Sequence, residues 1–298
     1  MPLKGRFRYS DSGRWYKGNV HTHTNLSDGQ VPFAQAVDFY AKAGYDFLSV
    51  TDHWVPFQAK RLEAPAPLLL LDGIELDGQD DEGSLFHVVG LGHIDGVHRD
   101  MGLFPAMEAI RAQGGLLIWA HPHASGNLVS HGITYGFDGV ELYNHGSQRS
   151  IGKGFGVYLW DMVLEKQPGL LGFATDDTHF IKGFETEEGG WIMVRAPELS
   201  VEAILGAIRR GDFYSTTGPV FHSIRFEQGN RIVFECSPVA HTRLIGPREK
   251  SKWRPAGSVG QATVTSGHFR IPGDFAYVRL EIEDEHSRMA WSNPLFMT

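Results

Sequence analysis

Short apolar segments alternate with amphipathic helical segments between residues 17 and 218, and this alternation restricts the fold more than any other feature of the chain. It is typical of parallel strands joined by helical crossovers, so we predict an α/β sheet or barrel. The predicted strands cover residues 18–22, 47–51, 68–76, 86–91, 116–120, 139–143, 170–174 and 191–195. The predicted helices cover residues 31–43, 101–113, 155–166 and 201–209.

The pattern changes after Gly218 and Pro219. The β-rich segments that follow are short, are separated by Gly and Pro turns and have no helical pattern between them, which is typical of a small antiparallel, sandwich-like β-domain. We therefore predict two domains, residues 1–218 and residues 219–298. The second is interpreted as a packing or oligomer-forming unit with Cys236 in its core. A carbohydrate- or peptide-binding role stays open, because Trp253 and Trp291 are candidates for exposed aromatic side chains.

The composition excludes several classes of protein. The chain has 298 residues, a formal net charge of −8 and one cysteine, so no intrachain disulfide can form. An acidic surface disfavours nucleic acid as a general partner, although a nucleotide or short oligonucleotide stays open as a substrate. We recognise neither a secretory signal nor an apolar segment of about 18 residues, and we therefore predict a cytoplasmic protein without a membrane span. A homo-oligomer remains compatible with the sequence.

Histidines at the ends of the predicted strands are candidates for metal ligands. His21 and His23 are two residues apart at the end of the first strand, so both imidazoles face the same side and can bind one ion. The turn that follows can return Asp28 to the same place. The alternative is that the two histidines are paired by chance in a chain with 15 of them.

The next strand ends extend this pattern. After residues 47–51 we choose His53 as a ligand and expect Asp52 to orient a ligand imidazole, the alternative being a helix cap with an exposed histidine. Glu75 ends the third apolar segment, and a carboxylate there can bridge two cations. His87 opens the next segment and, taken alone, is more often a core histidine than a ligand.

Two further strand ends complete the set. His121 follows the strand 116–120 and is a ligand candidate, whereas Pro122 interrupts strand geometry and leaves His123 as a ligand, a substrate contact or an exposed side chain. Asp177 and His179 follow the strand 170–174 and can share a face. Nearly all these residues follow carboxyl ends of strands, where α/β barrels have their active sites, so a metal site is favoured over scattered surface histidines.

The candidate ligands lie in six segments, which occur in the order HTHTNLSDG, TDH, GIE, FHVVGLG, AHP and DTH. Together these segments resemble the PHP (polymerase and histidinol phosphatase) family of metal-dependent hydrolases over about residues 17–180. The resemblance implies a distorted (β/α)7 barrel. The β-rich part, with SPV near Cys236 and AWSNP at 290–294, resembles the two-domain branch of the family that includes carbamate and ester hydrolases.

The resemblance also implies two or three divalent ions, and its D-x-H spacing selects Asp177 rather than the adjoining Asp176. Nitrogen and oxygen ligands suit Zn²⁺, Mn²⁺ or Fe²⁺. The implied ligand sets are His21, His23, Glu75 and Asp177 for the first ion, Asp28, His53 and His179 for the second, and Glu75, His87 and His121 for the third, with Glu75 bridging.

The first functional hypothesis is hydrolysis of a small phosphate ester by a metal-bridging hydroxide. Three dications, three carboxylates and the hydroxide leave a charge of about +2, which suits a phosphate dianion. Two dications leave a charge near zero, which favours the alternative, a carboxyl ester or carbamate hydrolase using the same centre. A third hypothesis is a non-catalytic, metal-stabilised module.

Three residues are candidates for direct catalytic roles. His123 and His145 are candidates for protonating the leaving group, as is a metal-bound water. Arg149, with Lys153, is a candidate for binding phosphate. The alternative for both cations is the solvated start of a helix.

Overall fold

Strands and helices alternate along the first part of the computed structural model, which describes residues 13–58, 68–227, 230–255 and 261–296. The strands are β1 (Arg14–Asn19), β2 (Phe47–Ser49), β3 (Leu69–Leu71), β4 (Gly73–Gln79), β5 (Leu85–Leu91), β6 (Leu116–Ala120), β7 (Gly139–Asn144), β8 (Leu171–Thr175), β9 (Trp191–Ala196), β10 (Phe213–Thr216), β11 (Phe221–Glu227), β12 (Arg231–Val239), β13 (His241–Ile245), β14 (Ser251–Pro255), β15 (Val264–Arg270), β16 (Tyr277–Glu283), β17 (Met289–Ser292) and β18 (Leu295–Phe296). The helices are α1 (Phe33–Lys42), α2 (Leu103–Ala112), α3 (Pro122–Ser125), α4 (Val129–Tyr135), α5 (His145–Ile151), α6 (Val157–Leu164) and α7 (Val201–Arg210), with a 3-10 turn at Arg99–Met101.

The strands of the described residues form three sheets. The largest has the order β14-β13-β16-β17-β10-β9-β1-β2-β3, with β18 added beside β16. The second has the order β4-β5-β6-β7-β8, and the third has the order β11-β12-β15. Pairing is parallel in β1-β2-β3 and in β6-β7-β8, as predicted for strands joined by helices.

The predicted mixed α/β class is confirmed, but the distorted (β/α)7 barrel is not. Strand β5 is antiparallel to both β4 and β6, and β9 is antiparallel to β1 and β10. A tight turn instead of a helix joins β4 to β5, because the Asp80 side chain accepts hydrogen bonds from the backbone N–H groups of Glu82 and Ser84. Such a connection allows only an antiparallel pair.

The apolar segment predicted as one strand over 68–76 divides between two sheets. Strand β3 pairs with β2 in the largest sheet, whereas β4 begins the five-stranded sheet. A Cβ on Gly73 would lie 2.1 Å from the Ser49 Oγ atom, so the chain crosses between the sheets where only glycine fits. A single bridge then pairs Glu75 with His53, and this brings a carboxylate to the end of β2.

The predicted helices 31–43, 101–113, 155–166 and 201–209 correspond to α1, α2, α6 and α7. Helix α7 shows the reasons most clearly: the Ser200 Oγ atom accepts the N–H of Ala203, and Gly211 ends the helix in a left-handed conformation. The short helices α3, α4 and α5 were not predicted. Helix α5 begins where the Asn144 side chain accepts the N–H of Ser147 at 2.7 Å.

After residue 218, strands are the only regular secondary structure among the described residues. The division at this residue stays a prediction, and the largest sheet crosses it because β10 pairs with β17. Trp291, a candidate for an exposed aromatic side chain, is instead buried: it lies on β17 between β10 and β16 and is 1% exposed. Trp253 is 68% exposed, and Cys236 is buried in the core beneath these strands. No helix among the described residues has the length and apolar character needed to span a bilayer.

Candidate metal centre

The predicted ligands meet at one edge of the two larger sheets. His21 and His23 follow β1, and His53 follows β2. The other strand ends are those of β6, which His121 follows, and of β8, which Asp177 and His179 follow. His87 reaches the same edge because β5 is antiparallel to β6, and it lies opposite Ala120, the last residue of β6. Backbone hydrogen bonds join the segments, among them one from the N–H of His23 to the Thr178 carbonyl at 2.9 Å.

The Glu75 carboxylate, which is 1% exposed, is at the middle of the cluster. Its Oε2 atom lies 3.1–3.3 Å from three Nε2 atoms, those of His21, His23 and His53. Its Oε1 atom lies 3.0 Å from His87 Nδ1 and 3.4 Å from His121 Nε2. Each oxygen therefore has its own group of imidazoles, as a bridging carboxylate requires.

Asp177 completes the innermost group. Its Oδ1 atom is 3.2 Å from the Nε2 atoms of both His21 and His23, which are themselves 3.1 Å apart. With metal–ligand bonds of about 2.1 Å, neighbouring donor atoms lie about 3.0 Å apart in an octahedron and about 3.4 Å apart in a tetrahedron. Together with Glu75 Oε2, these donors have the spacing of atoms that surround a single cation.

Asp28 lies at the solvent-facing side of the cluster, with a half-exposed side chain. Its Oδ2 atom is 3.1 Å from His179 Nε2 and 3.7 Å from His53 Nε2, and its Oδ1 atom is 3.3 Å from His23 Nδ1. The structure thus brings all nine predicted ligands into one cluster, which contains several three-residue groups able to hold an ion. Their role as ligands stays a prediction.

The charges of the cluster are mutually dependent. Burial lowers the pKa of His21, but Asp177, Glu75 and Glu141 outweigh burial and raise that pKa well above its ordinary value. For Glu75, burial raises the pKa, and the imidazoles outweigh it and hold the pKa well below its usual range. The carboxylates and imidazoles therefore favour each other's charged forms. A dication would replace the imidazole protons in this arrangement, which fits the donor set.

Glu141 was missed as a site residue by the sequence analysis. It is fully buried on β7, and its Oε1 atom accepts a hydrogen bond from His21 Nδ1 at 2.7 Å, while its Oε2 atom accepts the backbone N–H of His121 at 2.8 Å. This contact directs the Nε2 atom of His21 towards the other donors, where an ion would displace its proton. A carboxylate inside an apolar strand needs a buried partner, and that signal was present in residues 139–143.

Two more polar residues support the cluster. The Asn144 amide donates to Glu141 Oε2 at 2.8 Å and to Asp177 Oδ2 at 3.1 Å, and it thereby orients one predicted ligand. Asp77 Oδ1 lies 3.2 Å from His53 Nδ1, and Arg99 binds both oxygens of the same carboxylate at 3.1 Å. Nothing in the local sequence of either residue indicated these contacts.

Asp52 was expected to orient an imidazole, and this expectation is wrong. Its carboxylate instead accepts hydrogen bonds from the N–H and hydroxyl of Thr24 and from the Ser27 hydroxyl. These bonds hold the loop that returns Asp28 to the cluster. A Cβ on Gly29 would lie 2.6 Å from the His23 carbonyl oxygen, so the loop closes tightly enough to require glycine there.

The three candidate catalytic residues lie around the cluster in different settings. The His123 ring packs against Gly156, and burial lowers its pKa to about 4. His145 packs against Gly189, and its Nδ1 atom is 2.7 Å from the Tyr143 hydroxyl. These contacts give neither histidine a partner among the predicted ligands, and their catalytic roles stay predictions.

Arg149 is exposed, and its guanidinium lies 6.0 Å from the centre of the Phe184 ring. Its assignment to phosphate binding stays a prediction. Lys153, the other candidate phosphate-binding cation, is also exposed.

Backbone strain is concentrated at this site. His121 has φ 26°, and Asp177 has φ 50°. Trp54 and Phe180, which each follow a predicted ligand, have φ 56° and 52°. Side-chain-bearing residues seldom adopt these conformations, and the cost is of order 1–3 kcal/mol each, so the surrounding structure must impose them. Such clustering is typical of functional sites.

A cavity of about 420 Å³ opens beside the cluster. Asp177, His121 and His179 lie on one side of it, and Leu85, Ile151, Ile181 and Phe184 supply apolar surface. A volume of this size is within the range of small-molecule sites. The cluster is therefore accessible to a ligand from one direction.

No protein-family model matches the sequence, and no curated protein matches it. Among solved structures, the chain is similar to a two-domain protein from Bacteroides vulgatus ATCC 8482 that contains a predicted PHP-like metal-dependent phosphoesterase. The TM-score is 0.52 at 15% identity, and the match covers 99% of this chain and 98% of that one. The chains therefore share a fold, and the resemblance to PHP-like proteins is confirmed at that level.

Two weaker similarities were found. A proposed metal-dependent phosphoesterase from Bifidobacterium adolescentis ATCC 15703 has a TM-score of 0.42 at 16% identity, over 58% of this chain and 90% of that one. An amidohydrolase from Chromobacterium violaceum with bound sulfate and no metal has a TM-score of 0.40 at 12% identity, over 66% of this chain and 96% of that one.

Proposed function

We propose that this chain is a metal-dependent phosphoesterase that hydrolyses a small phosphate ester with two or three divalent ions. The position of Glu75 is the observation that carries the proposal, because each of its oxygens faces a separate group of imidazoles. A carboxylate in this position is suited to joining two ions. The fold shared with a PHP-like phosphoesterase supports the same class of reaction.

The innermost ion would be held by His21, His23, Glu75 and Asp177, whose donor atoms have the spacing of ligands around one cation. The ligands favour Zn²⁺, Mn²⁺ or Fe²⁺, since they are imidazoles and carboxylates. Bound ions would supply an activated water and would neutralise charge on the phosphoryl oxygens. The residues of the chain position these groups and direct their ligand atoms towards the centre, where bound ions would displace the imidazole protons.

The local charge favours a phosphate ester. Three dications would exceed the charge of Asp28, Glu75, Glu141 and Asp177 by about two units, or by about one unit once a hydroxide is bound, so the loaded site would attract a phosphate dianion. Two dications would only balance these four carboxylates. The substrate we propose is a phosphorylated small molecule, and nucleotides and short oligonucleotides belong to the range to be screened.

The test uses protein freed of metal and reloaded separately with Zn²⁺, Mn²⁺ or Fe²⁺. Phosphate release from 4-nitrophenyl phosphate is measured beside hydrolysis of 4-nitrophenyl acetate, for the natural sequence, Glu75→Gln and the control Glu82→Gln at an exposed position. We expect phosphate release that depends on metal, that Glu75→Gln lowers by at least about 100-fold and that the control retains.

Two results would overturn the proposal. If the loaded protein cleaves the acetate but not the phosphate, the centre serves ester hydrolysis. If ions bind and neither compound nor a wider panel of phosphate esters is turned over, the cluster is a structural metal site.

A further inference from the structure

We infer that the cavity beside the metal centre receives an apolar, aryl or branched-alkyl alcohol portion of the substrate. This inference rests on the proposed function, because three predicted ligands, His121, Asp177 and His179, line the cavity. A phosphoryl group bound at the centre would therefore extend its alcohol portion into the space of about 420 Å³ next to these side chains.

The apolar surface of the cavity comes from separate parts of the chain. Leu85 begins β5, Ile151 ends α5, and Ile181 and Phe184 follow β8. Leu85 is 43% exposed, Ile151 is 58% exposed and Ile181 is 42% exposed. Large apolar side chains that remain exposed beside a charged site cost solvation without helping the core, and their grouping is typical of a ligand site.

Four hydroxyl-bearing side chains line the cavity; Ser125, Ser150 and Thr186 have partners within the chain, and the fourth, Ser147, is 8% exposed. Ser150 Oγ donates to the Gly146 carbonyl at 2.7 Å, and Thr186 Oγ1 donates to Thr178 Oγ1 at 2.9 Å. Ser125 Oγ lies 3.4 Å from His121 Nδ1. Few polar groups are thus left to replace the water lost by a sugar or another polyol, so a polar alcohol portion would bind with unpaired hydroxyls.

No charged side chain lines the cavity among the described residues, apart from the predicted ligands. A second phosphate, a carboxylate or an ammonium group on the alcohol portion would therefore lack a partner within the lining, since the Arg149 guanidinium, 6.0 Å from the centre of the Phe184 ring, is not part of it. The same reasoning disfavours a nucleoside, whose ribose and base both carry several polar groups. The geometry favours an uncharged hydrocarbon group attached to the phosphoryl oxygen.

The test compares two ligands of the same shape. Binding of 2-phenylethylphosphonate and 2-(pyridin-4-yl)ethylphosphonate to the metal-loaded protein is measured by calorimetry at slightly alkaline pH, where the pyridine is uncharged. Both are stable to hydrolysis, so the measurement does not require turnover. We expect the phenyl compound to bind about tenfold more tightly, because its ring leaves no polar atom unpaired.

Ile151→Ala and Ile181→Ala test the assignment of the cavity wall. Both positions are exposed, so folding should change little. We expect each variant to lower the ratio of the two affinities by about threefold to tenfold. Ile133→Ala is the matched control, because Ile133 is a 39% exposed isoleucine on α4 outside the cavity lining. The control should retain the natural ratio.

Turnover of the corresponding phosphate esters separates the two proposals. If the phosphonates bind as expected but no ester is cleaved, the cavity assignment stands and the phosphoesterase proposal fails. If both esters are cleaved without preference for the phenyl compound, the cavity assignment fails and the phosphoesterase proposal stands. If the isoleucine variants leave the affinity ratio unchanged, the cavity assignment fails, and cleavage of the esters decides the phosphoesterase proposal separately. Failure of the loaded protein to bind either phosphonate would overturn the cavity assignment as well.

Discussion

Replacing Glu141 with glutamine tests whether this buried carboxylate orients His21 in the metal centre. The carboxylate is fully buried and accepts four hydrogen bonds, two at each oxygen. His21 Nδ1 and the Thr175 hydroxyl donate to Oε1 at 2.7 Å each. The backbone N–H of His121 and the Asn144 amide donate to Oε2 at 2.8 Å each. An amide of the same shape has only one oxygen, so one of these two pairs of donors must face an NH₂ group.

The size of the effect follows from this count. Each buried donor left without an acceptor costs about 1–3 kcal/mol, and two donors are affected, so we expect Glu141→Gln to lower the free energy of unfolding by about 2–6 kcal/mol. The effect on metal affinity has a separate cause. If the amide NH₂ faces His21, the imidazole must protonate Nε2 to accept that bond, and Nε2 can then no longer bind an ion. We expect the metal affinity to fall about 10–100-fold.

Two assays measure these effects. Zn²⁺ affinity is obtained by competition with a chromophoric chelator, and the free energy of unfolding of the metal-free protein is obtained from urea titration. Glu82→Gln, at an exposed turn position, is the matched control and should leave both quantities unchanged. If Glu141→Gln binds Zn²⁺ as tightly as the natural sequence, the assigned role of Glu141 in orienting His21 is wrong.

Three further predictions follow from other contacts. Arg279 is 1% exposed, and it binds both oxygens of Asp161 as well as one of Glu281, so Arg279→Ala should lower the free energy of unfolding by about 3 kcal/mol; a loss below about 1 kcal/mol in urea titration would contradict the buried ion pair. The pKa values of His21 and His23 are raised by neighbouring carboxylates, which outweigh the lowering by burial, so in the metal-free protein this pair binds protons more strongly than free imidazoles do. Ion binding must displace these protons, and the Zn²⁺ affinity should therefore rise with pH; calorimetry in buffers of different ionisation enthalpy should detect proton release, and an affinity independent of pH would refute this reasoning. Removal of bound ions by a chelator should lower the melting temperature, and reloading should restore it, because ions that bind only the folded chain stabilise it; identical melting curves would count against a specific site.

The parts of the site that could be predicted lie in short sequence patterns. His21 with His23, and Asp177 with His179, are pairs two residues apart that directly follow apolar strands, and strand geometry places such pairs on one face. The parallel pairing of neighbouring strands then brings separate strand ends to the same edge of a sheet. Local sequence was sufficient for these residues because their geometry depends on one strand at a time.

The contacts that could not be predicted depend on pairing between distant segments. Glu141 reaches His21 only because β7 lies between β6 and β8, and no pattern within β7 specifies that order. Asp52 was expected beside an imidazole, yet the loop at Thr24 folds back over it and supplies its donors. Trp291 was a candidate for surface exposure, but its strand pairs in the centre of a sheet, and the local sequence does not reveal that pairing.

The antiparallel hairpin of β4 and β5 has a similar explanation. The apolar segments 68–76 and 86–91 are consistent with parallel strands, and only the turn at Asp80 decides otherwise. The sequence analysis did not predict this turn, and it therefore missed the antiparallel pairing of β4 and β5. Once β5 is antiparallel to β6, the beginning of β5 rather than its end reaches the site, which explains the position of His87.

The most direct test of the metal centre is anomalous diffraction from crystals of the metal-loaded protein, recorded on both sides of the absorption edge of the added metal. We predict one strong peak among His21, His23, Glu75 and Asp177, and at least one more on another side of the Glu75 carboxylate. Crystals that are grown with excess metal and show no anomalous peak within this cluster would contradict the account.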